Sequence, residues 1–411
     1  MNAEPILSVS EKIKQIRKAK GLSIENLASV AKCSNATISR IENGQGEYSP
    51  EMVDAIKKYM GVEGAPLLEH EIDAFKDKLI VWKELVNAER VVDARAMQAT
   101  IFPIYELPFE HDLSLRYNMI EVLLMLKETY ILHDGNKSYA VDGTPYDRSR
   151  AYQVMEEKMS DASAYLDKAS NETLSMYHSN KGFLCMIQNN IKDALEYYLK
   201  ADEYIDGTNA GILSQIGNMY HFLSQPCMAI IYGERAKSVY ALGRTHISKS
   251  VIDNRLALYY MHIKKYSMAK KIFESSLAQA KSINDNLQSG MALANLGLIA
   301  SYTKMHDESA RLFDEAFACM DGFPPIQKHI LHGKALNLYK MKKYRECEAV
   351  LAQGDAMADA GEEIAILYES LRCLVKIATK KDSLATDYIE NTAIPYLLNN
   401  GASLKLDGLY L

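Results

Sequence analysis

The sequence predicts an all-α protein: a small N-terminal head of short helices, then a long body of helical hairpins. Three observations carry this prediction. Apolar residues recur at helical spacing almost from end to end, and strand-like alternation is nearly absent. Residues 21–44 read as two short capped helices joined by a tight turn. Small residues return at fixed offsets across residues 175–360, as they must where helices approach closely.

In the head, Ile13 and Ile16 lie among Lys12, Lys14, Arg17, Lys18 and Lys20, which makes an amphipathic first helix with a basic outer face. Ser23 can cap a second helix with Leu27, Ala28 and Ala31 inside. After the turn Lys32-Cys33-Ser34, Ser34 caps a third helix whose buried positions are Ile38 and Ile41. Asn43-Gly44 stops it, because both tolerate a left-handed backbone. Ser49-Pro50 starts a fourth, with Met52, Val53, Ile56, Tyr59 and Met60 on its apolar face. Two short helices and a tight turn make a helix-turn-helix unit.

The ordered set Gly21-Leu22-Ser23, Leu27-Ala28, Ser34 and Thr37-Ile38-Ser39-Arg40-Ile41-Glu42-Asn43-Gly44 resembles the Xre/Cro-type DNA-binding domain, a five-helix type, over about the first 60 residues. The resemblance implies that the second helix of the pair enters the major groove of double-stranded DNA. Asn35, Ala36, Ser39 and Arg40 then stand where bases are read, and Ser23, Ser34, Thr37 and Asn43 where phosphates are held. Arg40 can fork onto a guanine and Asn35 can bond an adenine edge. Two positions depart from the family. Lys32 replaces the usual turn glycine, so either its backbone is strained or the turn differs. Ile24 replaces a DNA-touching glutamine, so that contact is lost.

Charge agrees with DNA meeting one end of the chain. Residues 1–60 hold nine Lys/Arg and seven Asp/Glu, a net +2. The whole chain carries −6, which leaves −8 on the rest. The apolar runs are too short to span a bilayer, and the first residues lack the order of a signal peptide, so a cytoplasmic protein with no membrane contact is expected. Six cysteines without a CxxC pair read as reduced core thiols. Gly61, Gly64 and Pro66 mark a boundary. The expected domains are a head at 1–61, a linker at 62–66 with the freedom of a hinge, and a helical body at 67–411.

The body opens with a helical stripe of Leu68, Ile72, Phe75, Leu79, Trp82 and Leu85. Further helices are expected at 91–101, 113–132 and 148–168, with a long surface loop at 134–144. A repeat follows. Gly182, Ala194, Tyr198 and Ala201 lie at offsets 0, 12, 16 and 19. The offsets recur at Gly217, Ala229, Gly233 and Ala236, at Ala257, Ala269, Phe273 and Leu277, and at Gly297, Ser309, Phe313 and Ala316. A weaker set is Ala335, Cys347, Leu351 and Gly354. This resembles the tetratricopeptide repeat, a helical hairpin of about 34 residues. It implies a right-handed α-solenoid whose first helices line a concave surface. The positions expected to face inward supply Asn180, Phe183, Gln215, Asn218, Phe222, Asn254, Arg255, Asn295 and Tyr302, with Leu258 and Leu298 beside them. Four asparagine amides offer paired donors and acceptors to a peptide backbone. Arg255 can hold a ligand carboxylate or a neighbouring repeat.

No GxxxxGK[ST], HExxH or GxSxG occurs, and His329 and His332 lack a third ligand nearby. No cofactor, metal or catalysis is expected. The domain order resembles the peptide-pheromone-responsive regulators of Gram-positive bacteria and their phages, of the Rgg, PlcR, PrgX and NprR type. That implies a homodimeric regulator that reads an inverted-repeat operator and binds a short signalling peptide along the repeats. Three alternatives stand beside it: repeats that bind a protein partner, repeats that only dimerise, and a response-regulator phosphatase or antagonist.

Overall fold

The structure, a computed structural model, describes residues 7–104, 107–131, 147–243, 249–321, 324–357, 362–380 and 382–399. Among them there are helices and turns but no strand. They fall into two compact units. Unit 1 comprises Met1–Glu128 and Arg148–Lys181, and unit 2 comprises Thr129–Asp147 and Gly182–Leu411.

Unit 1 begins with α1 (Val9–Ala19), α2 (Ile24–Val30), α3 (Asn35–Glu42) and α4 (Pro50–Tyr59). Ser8, Ser23, Ser34 and Ser49 each accept a backbone N–H of the following turn, so all four starts are capped by serine. The four ends share one geometry as well. A left-handed residue follows each helix: Gly21, Lys32, Gly44 and Gly61, with φ of 65°, 51°, 70° and 65°. The next N–H then reaches back to the carbonyl five residues earlier, as from Cys33 to Ala28 at 3.0 Å. Lys32 therefore carries the strained backbone that its position requires. Ile13, Ile16, Leu27, Ala28, Ile38, Ile41, Val53 and Ile56 are buried together as the core of the head.

The segment after the head is packed, not open. Val62, Ala65 and Leu67 are buried. A Cβ on Gly64 would lie 3.0 Å from Cβ of Phe102. Within the expected linker Val62, Ala65 and Pro66 are covered, while Glu63 and Gly64 are exposed. The fifth helix in order, α5 (Glu69–Asn87), begins the helical body and pairs with α6 (Val91–Gln98). Then come α7 (His111–Ile131), α8 (Arg148–Ser163) and α9 (Asn171–Ile187). The helix expected over 148–168 stops at Ser163, and a 3-10 turn covers Leu166–Lys168. The loop expected at 134–144 lies outside the described residues.

Unit 2 is a series of hairpins. α10 (Ile191–Glu203) leads to the pairs α11 (Ala210–Phe222) and α12 (Pro226–Ala241), α13 (Lys249–His262) and α14 (Tyr266–Ser282), α15 (Asn286–Tyr302) and α16 (His306–Cys319), and α17 (Pro324–Lys340) and α18 (Tyr344–Asp355). α19 (Glu362–Lys380), α20 (Ser383–Tyr388), a π-helical turn at Ile389–Ala393 and α21 (Ile394–Asn399) complete it. First helices also pack on first helices: α11 on α13, α13 on α15, and α15 on α17.

One turn closes every hairpin. Asn189, Ser224, Lys264, Lys304 and Lys342 are left-handed, with φ between 57° and 65°. The residue after each donates its N–H to the carbonyl five back, at 2.8–3.0 Å. Glu89 and Arg90 repeat the pattern between α5 and α6 in unit 1. The offset-zero residues do what the spacing predicts. Gly182 lies against the Tyr198 ring and Gly297 against the Phe313 ring, where a Cβ would stand 3.1 Å from ring carbons. At Gly217 a Cβ would meet the Ala229 carbonyl oxygen at 3.1 Å and Tyr259 at 3.3 Å.

Gly217→Ala sets helix propensity against this contact. Propensity favours alanine by about 1 kcal/mol, but the obstacle is backbone and cannot rotate away. We expect a net loss of about 1–3 kcal/mol in the unfolding free energy, measured by urea denaturation. A stabilised variant would show that α11 and α12 can separate without penalty.

Candidate nucleic-acid interface and ligand-binding face

In the head, burial of Ile38 and Ile41 turns the opposite side of α3 outward. Asn35, Ala36 and Arg40 are exposed there, and Thr37 and Ser39 are half-buried at its edge. Ser34 accepts from the Thr37 N–H at 3.1 Å, and its hydroxyl lies 2.9 Å from Oγ1 of Thr37. Ser23 likewise accepts from the Asn26 N–H at 3.1 Å. These caps hold two helix starts, whose remaining N–H groups favour an anion. Asn43 is exposed, and Oδ1 accepts from Nζ of Lys14 at 2.9 Å. The eight head residues singled out by sequence thus lie on α3 and at the starts and ends of α2 and α3.

One ion pair holds α1 to α3. Arg17 gives Nε to Oε1 of Glu42 at 2.6 Å and Nη2 to Oε2 at 2.9 Å, and Nη1 donates to the Leu22 carbonyl at 2.9 Å. The hydrogen bond with Glu42 raises the already high pKa of Arg17. The Glu42 side chain is only 3% exposed.

In unit 2 the polar residues on the first helices converge on α11 and α13. Arg255 is half-buried and gives Nη1 to Oγ of Ser214 at 2.9 Å. No described carboxylate pairs with it. The hydroxyls of Tyr198 and Tyr259 are buried near it with no partner among the described residues, and Oε1 of Gln215 on α11 and Oδ1 of Asn254 on α13 are buried and unpartnered as well. Burial pushes both tyrosine pKa values up, and the nearby Arg255 cation opposes the shift. Asn218 is half-buried on the same helix as Gln215, and Phe222 is 37% exposed at its end. Leu258 and Leu298 are half-buried against the core. Tyr302 stacks on Tyr266 at 5.7 Å, with Nζ of Lys340 3.8 Å from its ring centroid.

The four asparagines are not equivalent. Asn180 belongs to unit 1, is 3% exposed, and donates to the Met119 carbonyl at 2.7 Å. Asn254 is 2% exposed and donates to Oε1 of Gln288 at 2.9 Å, which ties α13 to α15. Asn295 donates to the Met291 carbonyl in its own helix at 2.9 Å. Phe183 is buried in the core. The reason lies in the register. Relative to the offset-zero residue, the four stand at −2, +1, −3 and −2. That range spreads them by roughly 100° around a helix. Asn180 and Asn254 are buried, whereas Asn218 and Asn295 are half-buried. The rings of Tyr198 and Tyr259 pack, but their hydroxyls enter the polar cluster, which the apolar pattern does not reveal.

A helix-turn-helix family model matches residues 13–67, and a tetratricopeptide repeat model matches residues 248–321. The architecture is a helix-turn-helix head joined to tetratricopeptide repeats. Solved structures align with most of the chain. The apo form of the quorum sensor NprR from B. thuringiensis aligns with a TM-score of 0.60 and 17% identity, covering 83% of this chain and 92% of that one. A Rap protein complexed with competence and sporulation factor aligns at 0.59 and 15%, over 82% and 91%. NprR in complex with its cognate peptide NprX aligns at 0.56 and 19%, over 83% and 95%. At these identities the likeness establishes the fold. No curated protein sequence matches the chain. Among the described residues no helix is long and apolar enough to cross a membrane, and no group of three or more His, Cys, Asp or Glu is arranged to hold a metal. All six cysteines are free thiols, and burial pushes Cys347 up to about 12.

Glu42→Gln should leave Arg17 half-buried beside a neutral partner. Breaking a buried pair on one side costs about 3–5 kcal/mol. We expect the head to unfold at lower urea concentration than unit 2, seen as early loss of protection in α1 and α3. Coincident transitions with the parent profile would mean that Arg17 finds another acceptor.

Proposed function

We propose that the protein is a DNA-binding regulator whose repeats bind a short peptide, and that peptide binding changes its affinity for an operator. The observation that carries the DNA half is the free face of α3, with Arg40, Asn35 and Ala36 exposed between two capped helix starts. The peptide half rests on Arg255, a half-buried guanidinium whose only described partner is a hydroxyl, with the unpartnered hydroxyls of Tyr198 and Tyr259 nearby. A peptide brings what that cluster lacks: N–H groups for Gln215 and Asn254, and one terminal carboxylate for Arg255. Asn218, Phe222, Leu258 and Tyr302 then line the course of the chain. The fold likeness to a quorum sensor, and to NprR in complex with its cognate peptide, supports the same reading. A two-fold dimer follows from need, because one small head selects too little sequence and two heads on an inverted repeat multiply the discrimination.

Selection of duplexes from a randomised pool identifies the operator. Arg40→Ala should then weaken specific binding by about 1–3 kcal/mol and relax one base per half-site. Equal weakening on random duplex would move Arg40 to phosphate.

The ligand is sought by mass spectrometry of material carried through purification, and by thermal melting against pooled short peptides. For a peptide so found, Arg255→Ala and Asn218→Ala should each cost about 1–3 kcal/mol by calorimetry, with DNA binding in the absence of peptide unchanged. Amidation of the peptide's C-terminus should reproduce the Arg255→Ala loss. A parent protein that selects an operator but binds no peptide would transfer the repeats to a protein partner.

A further inference from the structure

Two lysines of the head are buried. Lys12 on α1 is 1% exposed, with Nζ 2.6 Å from Oε1 of Glu110 and 5.6 Å from the Phe109 ring centroid. Glu110 immediately precedes α7 and holds φ at 57°, a left-handed conformation unfavourable for a side-chain-bearing residue. Its carbonyl accepts the Ser114 N–H at 2.9 Å and opens α7, while its carboxylate meets Lys12. Lys57 on α4 is likewise buried, with Nζ 2.7 Å from Oε1 of Glu71. The other oxygen of Glu71 accepts the Leu67 and Leu68 N–H groups, each at 2.9 Å. One carboxylate thus joins α4, the end of the packed linker and the first turn of α5.

A buried ion pair adds little net stability, but separating it leaves a desolvated charge. Two such pairs permit one docking geometry and penalise all others. We infer that Lys12–Glu110 and Lys57–Glu71 are positioning pairs, which lock the head onto α5 and the turn before α7 so that unit 1 presents α3 as one rigid body. The inference extends the DNA-binding reading. It also assigns a negative property: neither Lys12 nor Lys57 binds phosphate, and Lys14, Lys18, Lys20 and Lys32 remain for that task.

The test uses the full chain and two readouts. Hydrogen exchange followed by mass spectrometry compares the parent with Glu110→Ala, Lys12→Met and the paired Lys12→Met/Glu110→Met. Residues 62–68 and α1 should exchange at least tenfold faster in all three, with unit 2 unchanged. If Glu110→Ala unfolds the head outright, the paired variant, which leaves no orphan charge, decides. Faster exchange at 62–68 with α2 and α3 still protected supports the lock, and parent-like exchange there overturns it. The second readout is the salt dependence of binding to a random-sequence 20-base-pair duplex. Each phosphate contact contributes about 0.9 to the slope of log K against log salt. An unchanged slope in Lys12→Met is expected, and a fall of about 0.9 places Lys12 on the DNA and overturns the assignment. Should the parent bind no duplex at all, the DNA reading falls, while the exchange experiment still decides whether the pairs lock the head.

Discussion

Close approach of two helices at a residue with almost no side chain is the constraint on which the helical body depends. Gly182, Gly217 and Gly297 let a neighbouring helix or ring lie where a Cβ would intrude. The space is filled by Tyr198, Tyr259 and Phe313, all of them buried. Where the filling residue is tyrosine, its length carries a hydroxyl past the apolar layer. Both hydroxyls end near Arg255 without a partner. Packing and polarity are therefore coupled at these hairpins: the aromatic rings that close the helix pairs also line the cluster best suited to a ligand.

The head obeys a different constraint, in which charge is spent on internal geometry. Three of its nine basic residues, Lys12, Arg17 and Lys57, are paired with Glu110, Glu42 and Glu71. What is left is a smaller set: Lys14, Lys18 and Lys20 on and just after α1, Lys32 in the turn before α3, Arg40 on α3 and Lys58 at the end of α4. A formal charge of +2 thus says less about DNA than the positions of the lysines left outside.

Much of this was legible in the sequence, and the rest failed for physical reasons. Serine caps at Ser23, Ser34 and Ser49 were readable because capping is local chemistry. The repeat was readable because Gly217, Ala257 and Gly297 answer a demand that no larger residue meets. Lys12 was misread as an outer residue, since a lysine on an amphipathic helix ordinarily faces water and its partner stands 98 positions away in the chain. The packing of the linker residues Val62, Ala65 and Leu67 is hidden in the sequence by the more conspicuous glycines beside them. The asparagines were aligned by residue type, although a shift of a few positions turns an amide from a groove toward an adjoining helix. The hairpin turns left no signal, because Ser224, Lys264, Lys304 and Lys342 occupy a conformation where glycine would have announced it.

Those turns have a consequence for how such a chain can change over time. Each closure is made by backbone atoms within six residues, and it tolerates glutamate, asparagine, serine or lysine alike. The helices it joins in unit 2 differ in length, from 12 residues in α18 to 17 in α15, without disturbing it. A gene encoding this body could therefore duplicate or delete one hairpin with its own closure intact, and only the two flanking interfaces would need to match. The face offered by the first helices would then grow or shrink in whole-hairpin steps, while the head and its capped helices stayed as they are.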